Sequence, residues 1–298
     1  MPYDDRTPPT RHGRPVLVAA AVVSLSLTLA GCGGGGSAGV TQPRPGSSAG
    51  TAAPSTPAAT TPTGTPSSAK PLADGPLTGK TVVIDPGHNP RNRDHAREIN
   101  RKVDIGTGLK ECDTTGTATD AGYAEAQFTR DVSHRLRTLL ESQGAKVVLT
   151  HDDDRPFGPC IDERARTGNA AGADAVVSVH ADGSAAGNRG FHVILPGRVS
   201  DGAADTTKIV GPSRELGIRI AAQFHRVTGS APSNYVGDNT GIDTRKDLGG
   251  LNLSTVPKVF VECGNMRDPK DAALLTSAEW RQKAARGIAD GISGYLNG

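Results

Sequence analysis

The chain has 298 residues, of which 35% are hydrophobic and only 3% aromatic, with 38 Gly and 21 Pro. Averaged over the whole length this is too little apolar side chain for one packed domain, so the deficit has to be local. The formal charge is +2, and setting aside residues 1–31 leaves 30 basic against 29 acidic residues with no Lys/Arg-rich block, which excludes a general nucleic-acid binder.

Residues 1–31 read as a secretory signal. Arg6, Arg11 and Arg14 supply a basic start and Val16 to Ala30 an apolar stretch of about 15 residues, too short to span a bilayer. Its end, Leu29-Ala30-Gly31-Cys32, resembles a bacterial lipobox, so Cys32 is expected to be lipidated and to become the first mature residue. An ordinary cleavable signal is the alternative, and export is expected either way. Residues 32–76 are rich in Gly, Ser, Thr, Pro and Ala, and positions 33–76 hold no aromatic residue. Such a composition cannot bury enough apolar surface to offset the entropy of ordering, so this segment is expected to be a disordered tether. Its flexible-coil reach is roughly 35 to 40 Å. Residues 77–298 then remain for one globular domain.

That domain opens with Thr-Val-Val-Ile-Asp from Thr81, a continuous apolar run of the kind expected for a strand buried on both faces. A helix follows over about Ala124 to Glu141, with Phe128, Val132, Leu136, Leu139 and Leu140 three or four apart and Gly144 after its end. Lys146 to Thr150 is a strand, Ile161 to Ala171 a helix, and Ala175 to Val179 and Gly190 to Leu195 are strands. A helix over about Ser213 to Val227 buries Leu216, Ile220, Phe224 and Val227; Lys258 to Val261 is a strand; and a helix from about Ser277 to Leu296 closes the chain. Thr276 with Glu279 three residues on suggests a capping box for that last helix. Strands separated by helices predict an α/β domain with a mixed, mostly parallel central sheet flanked by helices on both faces.

Three of these strands run directly into a polar residue of catalytic type: Asp85-Pro86-Gly87-His88, then Val179-His180, then Val261-Glu262. In a parallel sheet such ends lie along one edge, and Glu125, near the start of a well-patterned helix, adds a further carboxylate. Two imidazoles and one carboxylate are the ligand set of a catalytic zinc site that keeps a position open for water, and the remaining carboxylate would serve as its base. Spacing alone does not decide which of Glu125 and Glu262 binds metal.

Residues 77–298 resemble the zinc-dependent N-acetylmuramoyl-L-alanine amidases of the type 3 family, and most nearly their actinobacterial, mycobacterial-like members. The resemblance rests on Val-Val-Ile-Asp-Pro-Gly-His at 82–88, the helix containing Glu125, Leu149-Thr150, Arg164, Asn169-Ala170, Ser-Val-His-Ala-Asp at 178–182, and Val-Pro-Lys-Val-Phe-Val-Glu-Cys-Gly at 256–264, in the family's order. It implies that His88, Glu125 and His180 bind one Zn2+ per chain and that Glu262 is the catalytic carboxylate. It also implies cleavage of the amide joining the lactyl group of N-acetylmuramic acid to L-alanine, with peptidoglycan or muropeptides as partner. Asn89 in place of the usual Gly, Asp182 in place of Asn and His151 in place of Arg depart from the pattern and bear on substrate fit rather than metal binding.

Of the other cysteines, Cys112 and Cys160 both lie in polar, Gly-containing loops and are expected to form a disulfide in an exported protein, leaving Cys263 a buried free thiol. Residues 89–122 form a long, charged, Gly-rich connection without clear period, expected to border the substrate groove. His134 and His225 are expected at the surface, and His192 has no assigned role. The whole is expected to be a monomer at the cell envelope, held to the membrane through Cys32. A zinc peptidase or deacetylase of other envelope amides, and a non-catalytic wall-binding lipoprotein, are the alternative readings.

Overall fold

The computed structural model describes residues 74–298. The signal, Cys32 and all but the last residues of the tether lie outside the described residues. In chain order the strands are β1 (Thr81–Pro86), β2 (Lys102–Asp104), β3 (Leu109–Glu111), β4 (Lys146–Leu149), β5 (Ala175–Asp182), β6 (His192–Pro196), β7 (Ser200–Asp201), β8 (Ala204–Asp205), β9 (Ile242–Arg245) and β10 (Lys258–Asn265). The α-helices are α1 (Ala96–Ile99), α2 (Glu125–Glu141), α3 (Ile161–Ala170), α4 (Val210–Thr228), α5 (Gly249–Asn252), α6 (Pro269–Leu275) and α7 (Ala278–Leu296).

Six strands form one sheet in the order β4-β1-β5-β10-β6-β9. The pairs β1–β4, β1–β5, β5–β10 and β6–β9 are parallel, and β10–β6 alone is antiparallel. The mostly parallel mixed sheet with helices on both faces is therefore present. Because successive strand residues point to opposite faces, each strand sends one set of side chains to each layer. Val82, Ile84, Val177, Val179, Ala181, Val193, Leu195, Val259, Val261 and Cys263 enter a single apolar core with Phe128, Val132 and Leu136 of α2, Leu216, Ile220 and Phe224 of α4, and Ile288 and Ile292 of α7. Each Val, Leu, Ile or Phe side chain so taken from water contributes about 1.5 to 3 kcal/mol. The intervening residues, among them Asp85, Ser178, His180, Lys258, Phe260, Glu262 and His192, turn to the other layer, where α3, α5 and the β2–β3 hairpin lie.

Several boundaries differ from the periodicity reading. α4 begins at Val210, three residues before Ser213, and Val227 is only half-buried. α7 is capped by Ser277, whose hydroxyl accepts the Trp280 N–H at 3.3 Å, while Thr276 ends α6 and back-bonds to the Ala272 carbonyl. The capping signal therefore lies one residue later than Thr276-to-Glu279 spacing suggests. Residues 89–122, which show no clear period, contain α1 and the β2–β3 hairpin, and β9 is an additional edge strand. Cys112 and Cys160 are bonded at 2.03 Å across a sequence separation of 48, and Cys263 is free and buried.

Candidate active site

β1 ends at Pro86, and the chain turns so sharply at His88 that its φ is 62°. A left-handed conformation at a residue with a Cβ stores strain, and surrounding contacts must hold it. They are present: the Arg164 guanidinium of α3 donates to the carbonyls of Pro86 at 2.6 Å and His88 at 3.2 Å, and the Thr129 hydroxyl of α2 donates to the Gly87 carbonyl at 2.7 Å. Gly87 is required because a Cβ there would lie 2.4 Å from the His180 ring. Gly116, at φ 71°, would likewise push a Cβ to 2.7 Å from the His88 ring and 2.8 Å from Glu125 Oε2.

Glu125 is the first residue of α2, where the helix dipole favours a carboxylate. Its Oε2 lies 3.1 Å from His88 Nε2 and accepts the Thr117 N–H at 3.0 Å. Its Oε1 lies 2.9 Å from His180 Nδ1 and accepts the Ala181 N–H at 3.2 Å. His88 Nδ1 donates to the Thr114 carbonyl at 3.1 Å and faces Asp113 Oδ1 at 3.6 Å, which turns Nε2 inward. His180 stacks on Phe260, with ring centroids 5.2 Å apart. One ligand atom from each of His88, Glu125 and His180 lies within 4.8 Å of the others, and this group could hold a metal ion. Its chemistry suits zinc, which takes imidazole nitrogen and carboxylate oxygen and in catalytic sites is held by three protein ligands.

Below the site lies a buried ionic network that the sequence did not announce. Asp85 Oδ1 accepts from Arg164 Nη1 at 2.8 Å and the Thr150 hydroxyl at 2.7 Å, while Oδ2 accepts from the Ser178 hydroxyl at 2.8 Å and Lys258 Nζ at 3.2 Å. Arg164 Nη2 donates to Asp113 Oδ2 at 2.9 Å, so one guanidinium ties Asp113, beside His88, to the C-terminal end of β1. Burial works against ionised carboxylates here, yet Lys258 and Arg164 outweigh it and hold Asp85 far below the usual carboxylate range. Asp113 is depressed in the same way by Arg164 and His88. Burial would lower the His88 imidazole pKa, but Glu125 and Asp113 raise it to about 10.

Glu262 lies within β10 directly opposite His180 of β5. The register of the β5–β10 pair shifts between Glu262 and Asn265, a local irregularity of the kind that re-aims side chains beside sites. The Glu262 carboxyl has a buried Oε2 with no hydrogen-bond partner. Burial above all, then the charges of Glu125 and Asp182, push its pKa well above the usual value. A carboxyl so tuned beside two imidazoles is suited to accept and return a proton.

All four residues singled out from strand and helix ends thus meet at one place. Asp113, Arg164, Asp85 and Lys258, which form the network beneath them, have no role assigned from the sequence, where Arg164 and Lys258 read as solvated charges. A cavity of about 280 Å³ is bounded by His88, Glu125, His180, Asp182, Arg245 and Glu262. An adjoining one of about 250 Å³ includes Lys110, Glu111, Asp113 and Thr114, so residues 110–114 line a cavity beside the site. Asn89 is buried, its amide donating to the Gly158 carbonyl at 3.0 Å. His151 is buried with Nε2 3.0 Å from the Pro86 carbonyl, whereas His134 pairs with Asp152 near the surface and His225 is exposed.

A model of the N-acetylmuramoyl-L-alanine amidase family matches residues 82–294. The N-acetylmuramoyl-L-alanine amidase Rv3717 of Mycobacterium tuberculosis is 41% identical over 222 residues, covering 74% of this chain and 88% of that protein. LytC of Bacillus subtilis, also named an N-acetylmuramoyl-L-alanine amidase, is 26% identical over 220 residues, 74% of this chain and 36% of its own length. The crystal structure of the amidase Ami1 from Mycobacterium smegmatis aligns with a TM-score of 0.67 at 41% identity, covering 74% of this chain and 98% of that one. The family match begins in β1 and ends in α7, and so takes in every side chain of the site: the chain belongs to the N-acetylmuramoyl-L-alanine amidase family.

Proposed function

We propose that this protein hydrolyses the amide bond between the lactyl group of N-acetylmuramic acid and L-alanine in peptidoglycan, using one zinc ion held by His88, Glu125 and His180, with Glu262 as the proton carrier. The observation that carries the reading is the convergence of two imidazoles and one carboxylate within 4.8 Å of one another, with a separate, elevated-pKa carboxyl on the adjacent strand. When bound, zinc would polarise the scissile carbonyl and acidify water toward a pKa of about 7.

The chain's own residues supply the rest. Asp113 and the Thr114 carbonyl hold His88 Nδ1, keeping the ring turned so that Nε2 faces the site. Phe260 packs flat against His180 and fixes that ring. Glu262 takes the proton from the attacking water through a carboxylate oxygen and returns it to the departing amine nitrogen of L-alanine, which would otherwise leave as a poor anionic group. The burial that raises its pKa makes the carboxylate a stronger base for the first of these transfers.

The exported setting is read from residues 1–76: a signal over residues 1–31, lipidation of Cys32 as the first mature residue, and a tether that lets the domain of residues 77–298 work as a monomer some distance from the membrane. Among the described residues no helix is long and apolar enough to cross a membrane. The test is to digest peptidoglycan with the protein, with and without chelator, and to identify products by mass spectrometry. Free stem peptides with an L-alanine amino terminus, lost on chelation and regained with zinc, are expected. Cuts inside the peptide or released acetate would transfer the protein to the peptidase or deacetylase reading, and an absence of product would leave a wall-binding module.

A further inference from the structure

Glu262 has two cross-strand neighbours on its face of the sheet. One is His180 of β5, and the other, directly opposite in the antiparallel β10–β6 pair, is His192. His192 is 3% exposed and belongs to no part of the metal site. Its Nδ1 is buried without a hydrogen-bond partner, and so is Glu262 Oε2. Directly opposed residues of an antiparallel pair have Cβ atoms about 4.5 to 5.5 Å apart; the two side chains make no direct bond, and one water between them can meet both. Left unmet, each such buried atom costs about 1 to 3 kcal/mol; one bridging water satisfies both.

The imidazole is itself held. The Tyr235 ring meets it edge-on, with centroids 5.9 Å apart and planes at 90°. The Tyr235 hydroxyl donates to Asp182 Oδ2 at 2.7 Å, and Asp182 lies two residues beyond His180 on β5. Burial keeps the His192 imidazole below its ordinary pKa despite the nearby Asp182 and Asp243 carboxylates, so the ring is neutral and offers one donor.

We propose that His192 is a positioning residue for the amidase reaction: its ring N–H, through one water, orients the Glu262 carboxyl from the β6 side, leaving the other carboxylate oxygen turned toward the scissile amide. The proposal rests on the reading of Glu262 as proton carrier. A carboxyl that must reach first water and then the amine nitrogen loses turnover when its orientation wanders, while substrate contacts elsewhere in the groove are untouched. The effect therefore falls on kcat rather than KM.

The test compares the zinc-loaded wild-type protein with His192→Phe, His192→Asn, Glu262→Ala and the Glu262→Ala/His192→Phe pair on soluble muropeptides, with zinc content and melting temperature measured on each. His192→Phe keeps ring volume without a donor and is expected to lower kcat about 10- to 100-fold, the usual effect of losing an outer hydrogen-bond partner, with KM within about twofold and zinc retained. His192→Asn restores an N–H near the Nδ1 position and is expected to recover to within about threefold of wild type. In the Glu262→Ala background, where slow residual turnover is read in long digests, His192→Phe is expected to change nothing further. Wild-type kcat in His192→Phe, equal impairment of the Phe and Asn variants, or a full additional loss in the Glu262→Ala background would each overturn the inference. Should His192→Phe not fold, His192→Leu takes its place in the same comparison. Wild-type turnover by Glu262→Ala would remove the reading of the site, and this inference with it, whereas an inert Glu262→Ala beside an unimpaired His192→Phe removes only the inference.

Discussion

The two faces of the central sheet solve different problems. The face toward α2, α4 and α7 is packed with aliphatic side chains and Phe128 and Phe224, with Trp280 at its edge. The face toward α3 and α5 buries Asp85, Arg164 and Lys258, each 5% exposed or less, in one hydrogen-bonded network. A fully apolar second face would have folded at lower desolvation cost, since buried ion pairs seldom stabilise more than the hydrophobic groups that fit the same space. What the ionic face provides is direction: Arg164 reaches Asp85, Asp113 and the carbonyls of Pro86 and His88, and so fixes the turn that carries a proposed metal ligand. One face holds the molecule together, and the other aims it.

That division can be broken experimentally, and the largest effect concerns the site itself. Removing the metal from the protein, or replacing His180 with Ala, is expected to lower muramoyl–L-alanine amide hydrolysis by about a thousandfold or more, since metal ions contribute several kcal/mol of charge stabilisation. Assays with back-added zinc read the chelated protein; recovery is expected there and not in His180→Ala. Next, Arg164→Met leaves Asp113 buried without its cation and is expected to destabilise by about 3 to 5 kcal/mol, measured by urea unfolding, and to weaken metal binding as well. On the other face, Leu136→Ala, at a fully buried α2 position, is expected to cost about 2 to 5 kcal/mol of stability while leaving kcat and metal content of the folded fraction unchanged. Equal losses of metal affinity from Arg164→Met and Leu136→Ala would erase the distinction between the faces.

A smaller effect concerns pH. In the metal-free protein the His88 pKa is raised to about 10, so below that value the imidazole holds a proton that a cation must expel. Zinc affinity is therefore expected to rise about tenfold per pH unit between pH 6 and 8 on account of this group, with release of about one proton. Calorimetric titrations in buffers of different ionisation enthalpy measure that proton directly, and a pH-independent affinity with no release would contradict it.

The apolar face was the more legible of the two. Its strands are continuous Val/Ile runs and its helices keep a regular spacing, so β1, β5, β10, α2, α4 and α7 follow from periodicity, and the three strand ends bring the site residues with them. β9 was missed because Ile-Asp-Thr-Arg is four residues long and lies at a sheet edge, where little burial writes a pattern. The β2–β3 hairpin escaped for a similar reason: of Lys-Val-Asp and Leu-Lys-Glu, only Val103 is buried, and Leu109 is exposed. The ionic network was illegible in principle from one chain, because Arg164 and Lys258 look like solvated charges until tertiary structure brings Asp85 and Asp113 from 79 and 51 positions away from Arg164. The apolar poverty of the whole chain, by contrast, was informative only once divided, since the described domain packs a continuous core.

The central claim is that the metal group and the proton carrier are separate devices in one site. Glu262→Gln tests it, because the amide preserves shape but cannot carry the proton. One bound zinc per chain, together with a kcat for release of L-alanine-terminated stem peptide reduced by about a hundredfold or more, is the predicted result. Loss of zinc along with activity would make Glu262 a ligand, and unchanged turnover would place the base elsewhere; either would contradict the account.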